Sequence, residues 1–115
     1  MRILWYRIVR LQDRMHPGWR TDKPRTLFTT GLASEIGGVC DQVTHLDGGG
    51  SQLPDPKKWN EVKLLHDLGD SFVMMVLVAE RSGFSYDDFE AELIHINAEL
   101  SDRAEAREKQ RERKI

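Results

Sequence analysis

Residues 66–83, HDLGDSFVMMVLVAERSG, are the stretch that most limits how this chain can fold. From Phe72 to Ala79 every side chain is apolar, so a helix formed here is apolar on all sides and needs neighbours on several of them. Two carboxylates, Asp67 and Asp70, lie where this run begins and share one helix face. Because a carboxylate removed from water without a partner is costly, the sequence predicts that something compensates this pair.

Hydrophobic periodicity predicts four helices, separated by segments rich in glycine and proline. The first contains Leu4, Ile8, Leu11 and Met15, the second runs from about Leu27 to Leu46, the third from near Pro56 to Gly83, and the fourth follows Ser85. Asp55 is the predicted cap of the third helix, and Ser85 with Asp88 resembles a capping box. No strand pattern appears in the sequence. The predicted fold class is therefore all-α, a four-helix bundle.

The fourth helix carries Phe89, Leu93, Ile96 and Leu100, and the charged run 102–115 follows it. We therefore predict a helical domain over residues 1–101 and a charged helical extension or tail over 102–115. The third helix is apolar on more sides than three neighbours in one short chain readily cover. We therefore predict that a homodimer or tetramer completes the bundle.

Composition excludes several classes of protein. The chain has 115 residues, which suits one domain, and its formal net charge of −2 gives no electrostatic case for nucleic acid as a partner. The single cysteine, Cys40, excludes an internal disulfide and favours a reducing compartment. Arginines interrupt the N-terminal stretch, unlike a signal peptide, and the longest uncharged apolar run is too short for a membrane span. We expect a cytoplasmic protein without a membrane partner.

A third acid, Glu35, lies at the margin of the apolar stripe on the second helix. Its row along that helix is Gly31, Glu35, Gly38 and Gln42, so small residues surround one carboxylate and allow close approach. Three acids on two helices suit a hard divalent cation, and Mg²⁺ in proteins usually shares its coordination shell with phosphate oxygens. A local alternative stays open: Lys63 pairs with Asp67, and Asp70 faces water.

At these residues the chain resembles the MazG-like all-α nucleoside triphosphate pyrophosphatases, which show E-x-x-E on one helix and E-x-x-D on the next. SEIGGVCDQVTHL and HDLGDSFVMMVLVAERSGFS occupy those places in the right order. The resemblance implies a Mg²⁺-dependent enzyme, with Mn²⁺ as a possible substitute, that cleaves nucleoside triphosphates to monophosphate and pyrophosphate as a dimer or tetramer. Carried over by position, Glu35, Asp67 and Asp70 are metal ligands, and Glu35 is the catalytic carboxylate that orients or deprotonates the attacking water.

The chain departs from the family pattern at Gly38, where the second glutamate of the first motif would fall. Asp41 does not replace that glutamate, because it points about 120° away from Glu35 around the helix axis, at about 100° per residue. A competing hypothesis is therefore a helical interaction protein that keeps this fold without turnover.

Six further residues are candidates for substrate binding. Aromatic and cationic groups near the predicted helix ends can stack on a base or meet phosphate, and the last helix of the resembled family offers basic and amide groups to phosphate. The candidates are His16, Trp19, Lys57, Lys58, Asn97 and Arg103.

Overall fold

A computed structural model describes residues 1–48 and 55–114 of the chain. These residues form five α-helices and no β-strand, which confirms the all-α class. The helices are α1 (Arg2–Met15), α2 (Trp19–Asp22), α3 (Arg25–Leu46), α4 (Glu61–Arg81) and α5 (Tyr86–Arg113). Most of the predicted loop between the second and third helices lies outside the described residues.

The chain divides into two compact units, Met1–Gly83 and Phe84–Ile115. The first unit contains α1 to α4 and the second contains α5. Helix α5 continues without a break past residue 101 to Arg113. The domain division that the charge pattern places at residue 101 stays a prediction.

In the first unit, α3 packs along α4, and α1 and α2 also pack against α4. The central position of α4 follows from its apolar sequence, since a helix without a polar side must be covered by several neighbours. The buried apolar side chains of this unit are Trp5, Val9, Trp19, Phe28, Val76 and Leu77. Each burial of a large side chain of this kind contributes about 1.5–3 kcal/mol.

The two largest core side chains each satisfy their polar atom. The Nε1 of Trp5 donates a hydrogen bond to Glu80 Oε1 at 2.8 Å, which ties α1 to the end of α4. The Nε1 of Trp19 donates to Asp13 Oδ1 at 2.7 Å. The ring of Trp19 meets Phe28 edge-on with centroids 5.3 Å apart, a favourable aromatic geometry.

The predicted start of α5 is confirmed, whereas the predicted start of α4 is not. Ser85 and Asp88 form the predicted capping box. Gly83, predicted at the exit of the preceding helix, has the left-handed φ of +87° that favours glycine. The predicted cap at Asp55 is wrong. Helix α4 begins at Glu61, and its cap is Asn60, whose side chain accepts a hydrogen bond from the Lys63 backbone N–H at 2.9 Å.

The Asp55 side chain instead closes a turn by accepting from the backbone N–H of Lys57 at 2.9 Å. The extended backbone of Asn60, with φ −157°, separates this turn from α4. A second difference is α2, a single helical turn inside the segment predicted to be irregular. It follows Gly18, whose φ of +80° lies in the left-handed region that favours glycine.

No helix among the described residues is long and apolar enough to cross a membrane. Within the apolar run of α4, Val76 is fully buried and Leu77 is 5% exposed, whereas Met75 is 40% exposed. The single chain thus covers one side of this run more completely than the other.

Alanine at two glycines of α3 tests how closely α3 and α4 pack. A Cβ at Gly37 would meet nothing within 4 Å, so Gly37→Ala should raise the free energy of unfolding by about 1 kcal/mol through helix propensity. A Cβ at Gly31 would lie 2.5 Å from Met74 Cε, so Gly31→Ala must displace that methyl group and should gain less. Chemical denaturation of both variants measures the difference. Equal gains would mean that Met74 does not pack over Gly31.

Candidate functional site

Helices α3 and α4 run antiparallel, and their line of contact, here called the seam, passes two glycines of α3. Gly31 faces Met74, and a Cβ at Gly38 would lie 3.7 Å from Asp67 Oδ2. Gly31 and Gly38 are seven residues apart on α3, and their neighbours Met74 and Asp67 are seven residues apart on α4 in the opposite chain direction. Seven residues make about two helical turns, so one face of each helix lines the whole seam. The predicted row of small residues on the second helix is therefore the row that α4 approaches.

Three carboxylates meet within this seam. Glu35, Asp67 and Asp70 each offer an oxygen, and these atoms all lie within 4.8 Å of one another. All three residues are intermediate in exposure, between the core and open solvent. The structure thus brings together all three acids that the sequence nominated as metal ligands.

One described side chain outside the cluster contacts its carboxylates. His66 Nε2 lies 3.2 Å from Asp70 Oδ2, one helical turn away, with side-chain exposures of 77% and 43%. Among residues 1–48 and 55–114, no side chain forms a hydrogen bond or ion pair with the carboxylates of Glu35 and Asp67. Exposed pairs such as His66 and Asp70 contribute about 0–1 kcal/mol, and Glu35 and Asp67 have no comparable pair among the described residues.

The local alternative that the sequence left open, a pair between Lys63 and Asp67, is not formed. The Nζ of Lys63 donates instead to the backbone carbonyl of Lys57, where it helps to close the turn before α4. That orientation takes the ammonium group toward the helix N-terminus, whereas Asp67 lies one turn further along α4. The side chain that does pair with an acid of the cluster is His66.

Two buried polar side chains near the cluster form hydrogen bonds with the backbone. Ser71 is buried, and its hydroxyl donates to the carbonyl oxygen of Asp67 at 2.9 Å. Gln42, one turn after Gly38 on α3, is also buried. Its amide donates to the Lys58 carbonyl at 3.2 Å and accepts from the Asn60 backbone N–H at 3.3 Å, which fixes the start of α4 against α3.

Three converging carboxylates can hold a hard cation. Opposite oxygens around Mg²⁺ are about 4 Å apart, twice its usual ligand distance, and around Ca²⁺ about 5 Å apart. Neighbouring oxygens around Mg²⁺ are only about 3 Å apart. The oxygens of Glu35, Asp67 and Asp70, within 4.8 Å of one another, would therefore have to move closer by side-chain rotation to hold one ion. Water or an anionic ligand would complete the shell, because three protein oxygens are fewer than either ion takes.

The other predicted site residues of the first unit occupy two places. His16 lines a cavity between α1, α3 and α4, whereas Trp19 is 1% exposed and its ring forms part of the core. Lys57 and Lys58 lie in the turn before α4 and are exposed; the Lys58 ammonium lies 5.3 Å from the centre of the Trp59 ring. The structure does not bring any of these side chains into the carboxylate cluster.

Asn97 and Arg103 lie on α5, in the second unit, and both are exposed. Asn97 adjoins a shallow apolar surface on that helix, next to Leu93, Ile96 and Leu100. Their roles in binding a substrate stay predictions.

Two polar contacts of the first unit were not predicted from the sequence. His45 stacks on Trp59 with ring centroids 3.6 Å apart and an interplanar angle of 2°, at the far end of the seam. No spacing rule joins residues fourteen apart across a loop, so only the fold reveals this pair. The contact between His66 and Asp70, by contrast, follows the ordinary i, i+4 rule and was within reach of the sequence.

Comparison with known proteins adds no relative: no protein-family model matches the chain, and neither a curated protein nor a solved structure matches it.

Asp67→Asn tests whether the three carboxylates repel one another. Because Asp67 has no side-chain partner among the described residues, removing its charge should raise the free energy of unfolding in EDTA by about 0.5–1 kcal/mol, the size of interactions between partly exposed charges. Added Mg²⁺ should stabilise the wild type by about 2.7 kcal/mol at one hundred times its dissociation constant. The variant should lose most of that gain. Thermal melts with EDTA and with Mg²⁺ measure both effects.

Asp41→Asn is the matched control, since Asp41 is an exposed acid on α3 outside the cluster. It should leave the Mg²⁺-dependent shift unchanged. A wild-type melt that does not move with tens of millimolar Mg²⁺ would contradict a cation site at these residues.

Proposed function

We propose that the chain is a Mg²⁺-dependent nucleoside triphosphate pyrophosphohydrolase of the MazG-like type, which converts a nucleoside triphosphate and water to monophosphate and pyrophosphate. One observation carries the proposal. Glu35, Asp67 and Asp70, chosen from motifs on two helices, come within 4.8 Å of one another. Mn²⁺ is expected to substitute for Mg²⁺, because both ions accept carboxylate oxygens.

The roles of the three acids follow from their surroundings. Asp67 and Asp70 are one turn apart on α4 and would hold the cation together with Glu35 from α3. A bound Mg²⁺ would neutralise the phosphate oxygens and the charge on the departing pyrophosphate. Glu35, whose carboxylate has no protein partner among the described residues, would accept a proton from the attacking water.

Gly38 supports a site with three carboxylates rather than four. The position faces Asp67 across the seam, which is where the second glutamate of the resembled motif would project. Glycine there costs about 1 kcal/mol of helix stability relative to alanine but avoids adding another negative charge to an undercompensated cluster. A cation at this site would therefore depend more on water and phosphate oxygens for its shell.

The alternative function is a helical interaction protein that keeps the fold and has no turnover. The exposed apolar side chains of α5 favour it, since a contiguous apolar surface of this kind marks interaction sites. Leu93, Ile94, Ile96 and Leu100 are 48%, 65%, 41% and 53% exposed. Measurement of pyrophosphate release separates the two functions.

The pyrophosphohydrolase proposal predicts pyrophosphate release from at least one member of a panel of ribo- and deoxyribonucleoside triphosphates, in Mg²⁺ and not in EDTA. Glu35→Gln should lower kcat at least 100-fold, the usual contribution of a general base. Asp41→Asn on the same helix should keep wild-type activity. Circular dichroism would show that both variants are folded. A folded wild type that releases no pyrophosphate from any member of the panel, in Mg²⁺ or Mn²⁺, would favour the interaction protein.

We also propose that the active form is a homo-oligomer in which the four-helix bundle is completed. On α4, Val62, Leu65 and Leu68 are 78%, 71% and 49% exposed, which is unusual for apolar residues on a central helix. Light scattering at micromolar concentration should therefore give at least twice the chain mass of 13.3 kDa. A mass of one chain under those conditions would remove this part of the proposal.

A further inference from the structure

A cavity of about 420 Å³ lies in the first unit, between α1, the start of α3 and the middle of α4. Most of its wall is apolar and is formed by Leu27, Phe28, Met74 and Leu77. Its volume lies within the range of about 300–1,000 Å³ that is typical of sites for small molecules. The cavity is therefore large enough for a planar ring system.

One wall carries a polar group without a protein partner. Gln12 on α1 lines the cavity and is only 9% exposed. Its side-chain amide forms no hydrogen bond with any described residue. The residue is therefore largely buried while its amide atoms stay accessible from the cavity, so they can bond to water or to a ligand there.

The amide of Gln12 has access to such a ligand. No fully buried side-chain nitrogen or oxygen in the described part of the chain lacks a partner, so the amide atoms of Gln12 retain contact with the cavity space. A glutamine amide offers two N–H donors beside a carbonyl acceptor. That pairing matches the adjacent donor and acceptor on the edge of a nucleobase, as in glutamine contacts to adenine.

The cavity and the carboxylate cluster lie along the same seam. Met74 is one helical turn beyond Asp70 on α4, about 6 Å along the axis. Phe28 precedes Glu35 by two turns on α3, about 10 Å along the axis. This separation suits a nucleotide whose base is in the cavity and whose phosphates reach the carboxylates. His16 and Lys23, which also line the cavity, add polar groups beside the apolar wall.

We propose that this cavity binds the nucleobase of the substrate and that Gln12 is the residue that recognises the edge of the base. The inference rests on the proposed function for the identity of the ligand, but the cavity can be tested without phosphates. The apolar faces and edges of the nucleobase would contact Leu27, Phe28 and Leu77. The Gln12 amide would form the paired hydrogen bonds. A phosphate group does not fit this wall, because its charge would be desolvated against apolar side chains.

The test uses nucleosides, which lack phosphates and need no metal. Adenosine, guanosine, cytidine and thymidine are titrated into the full-length chain while NMR follows the side-chain amide resonances. At least one nucleoside should shift the Gln12 amide, and ribose 5-phosphate, which has no base, should not. Gln12→Met keeps the length of the side chain and removes the hydrogen bonds. It should weaken nucleoside binding at least tenfold without lowering the melting temperature.

Gln110→Met is the matched control, because Gln110 is exposed on α5 in the other unit. It should bind nucleosides as the wild type does. If Gln12→Met unfolds the chain, Gln12→Glu provides a second variant with retained length, and it should change which nucleoside binds best. Equal binding by wild type and a folded Gln12 variant, or no binding of any nucleoside at millimolar concentration, would overturn the inference.

The outcomes separate this inference from the proposed function. Nucleoside binding that depends on Gln12, without pyrophosphate release, would support the cavity and contradict the hydrolase. Hydrolysis with equal rates for wild type and Gln12→Met on every base would support the hydrolase and overturn the role of Gln12.

Discussion

The close approach of α3 and α4 is the constraint on which the other features of the first unit depend. This approach is closest at Gly31, where a Cβ would lie 2.5 Å from the methyl group of Met74 and would displace it. The face of α3 that meets α4 thus carries glycine at positions 31 and 38, and a carboxylate and an amide at Glu35 and Gln42. The stability lost at the glycines is offset by the burial of apolar side chains along the α3 and α4 contact.

The packing of α3 against α4 along this seam also holds the negatively charged side chains of the site close together. Apolar packing at Phe28 and Leu77, and the buried Gln42 at the other end, fix the two helices, so Glu35 and Asp67 are held close without charge compensation between them. Packing energy thus maintains an arrangement that the charges alone would oppose. Under the proposed function, this packing would hold the three carboxylates near one another before a cation binds, as functional sites generally require.

Much of this arrangement could be predicted from the sequence, because helix periodicity fixes which side chains share a face. The row from Gly31 to Gln42 and the pair Asp67 and Asp70 were enough to bring the three acids together once two helices were assumed to pack. The start of α4 was not predictable in the same way. Asp55 and Asn60 are both good caps, and the choice of Asn60 depends on the contact with Gln42 across the seam, a tertiary contact that no local rule contains.

Gly38 lies where α3 meets α4 and also next to the proposed cation site. A fourth carboxylate at this position would strengthen the attraction for a cation but would add repulsion in the absence of one, beside an Asp67 whose carboxylate has no partner among the described residues. If the cluster binds a cation as proposed, three carboxylates repel one another less than four and leave a larger share of the ligand shell to the substrate's phosphates. Under the proposed function, cation and nucleotide binding would be coupled, and by linkage each would raise the affinity for the other by the same factor. Under the proposed function, such a cluster would bind its cation chiefly together with substrate, and the missing side chain at Gly38 would contribute to that dependence.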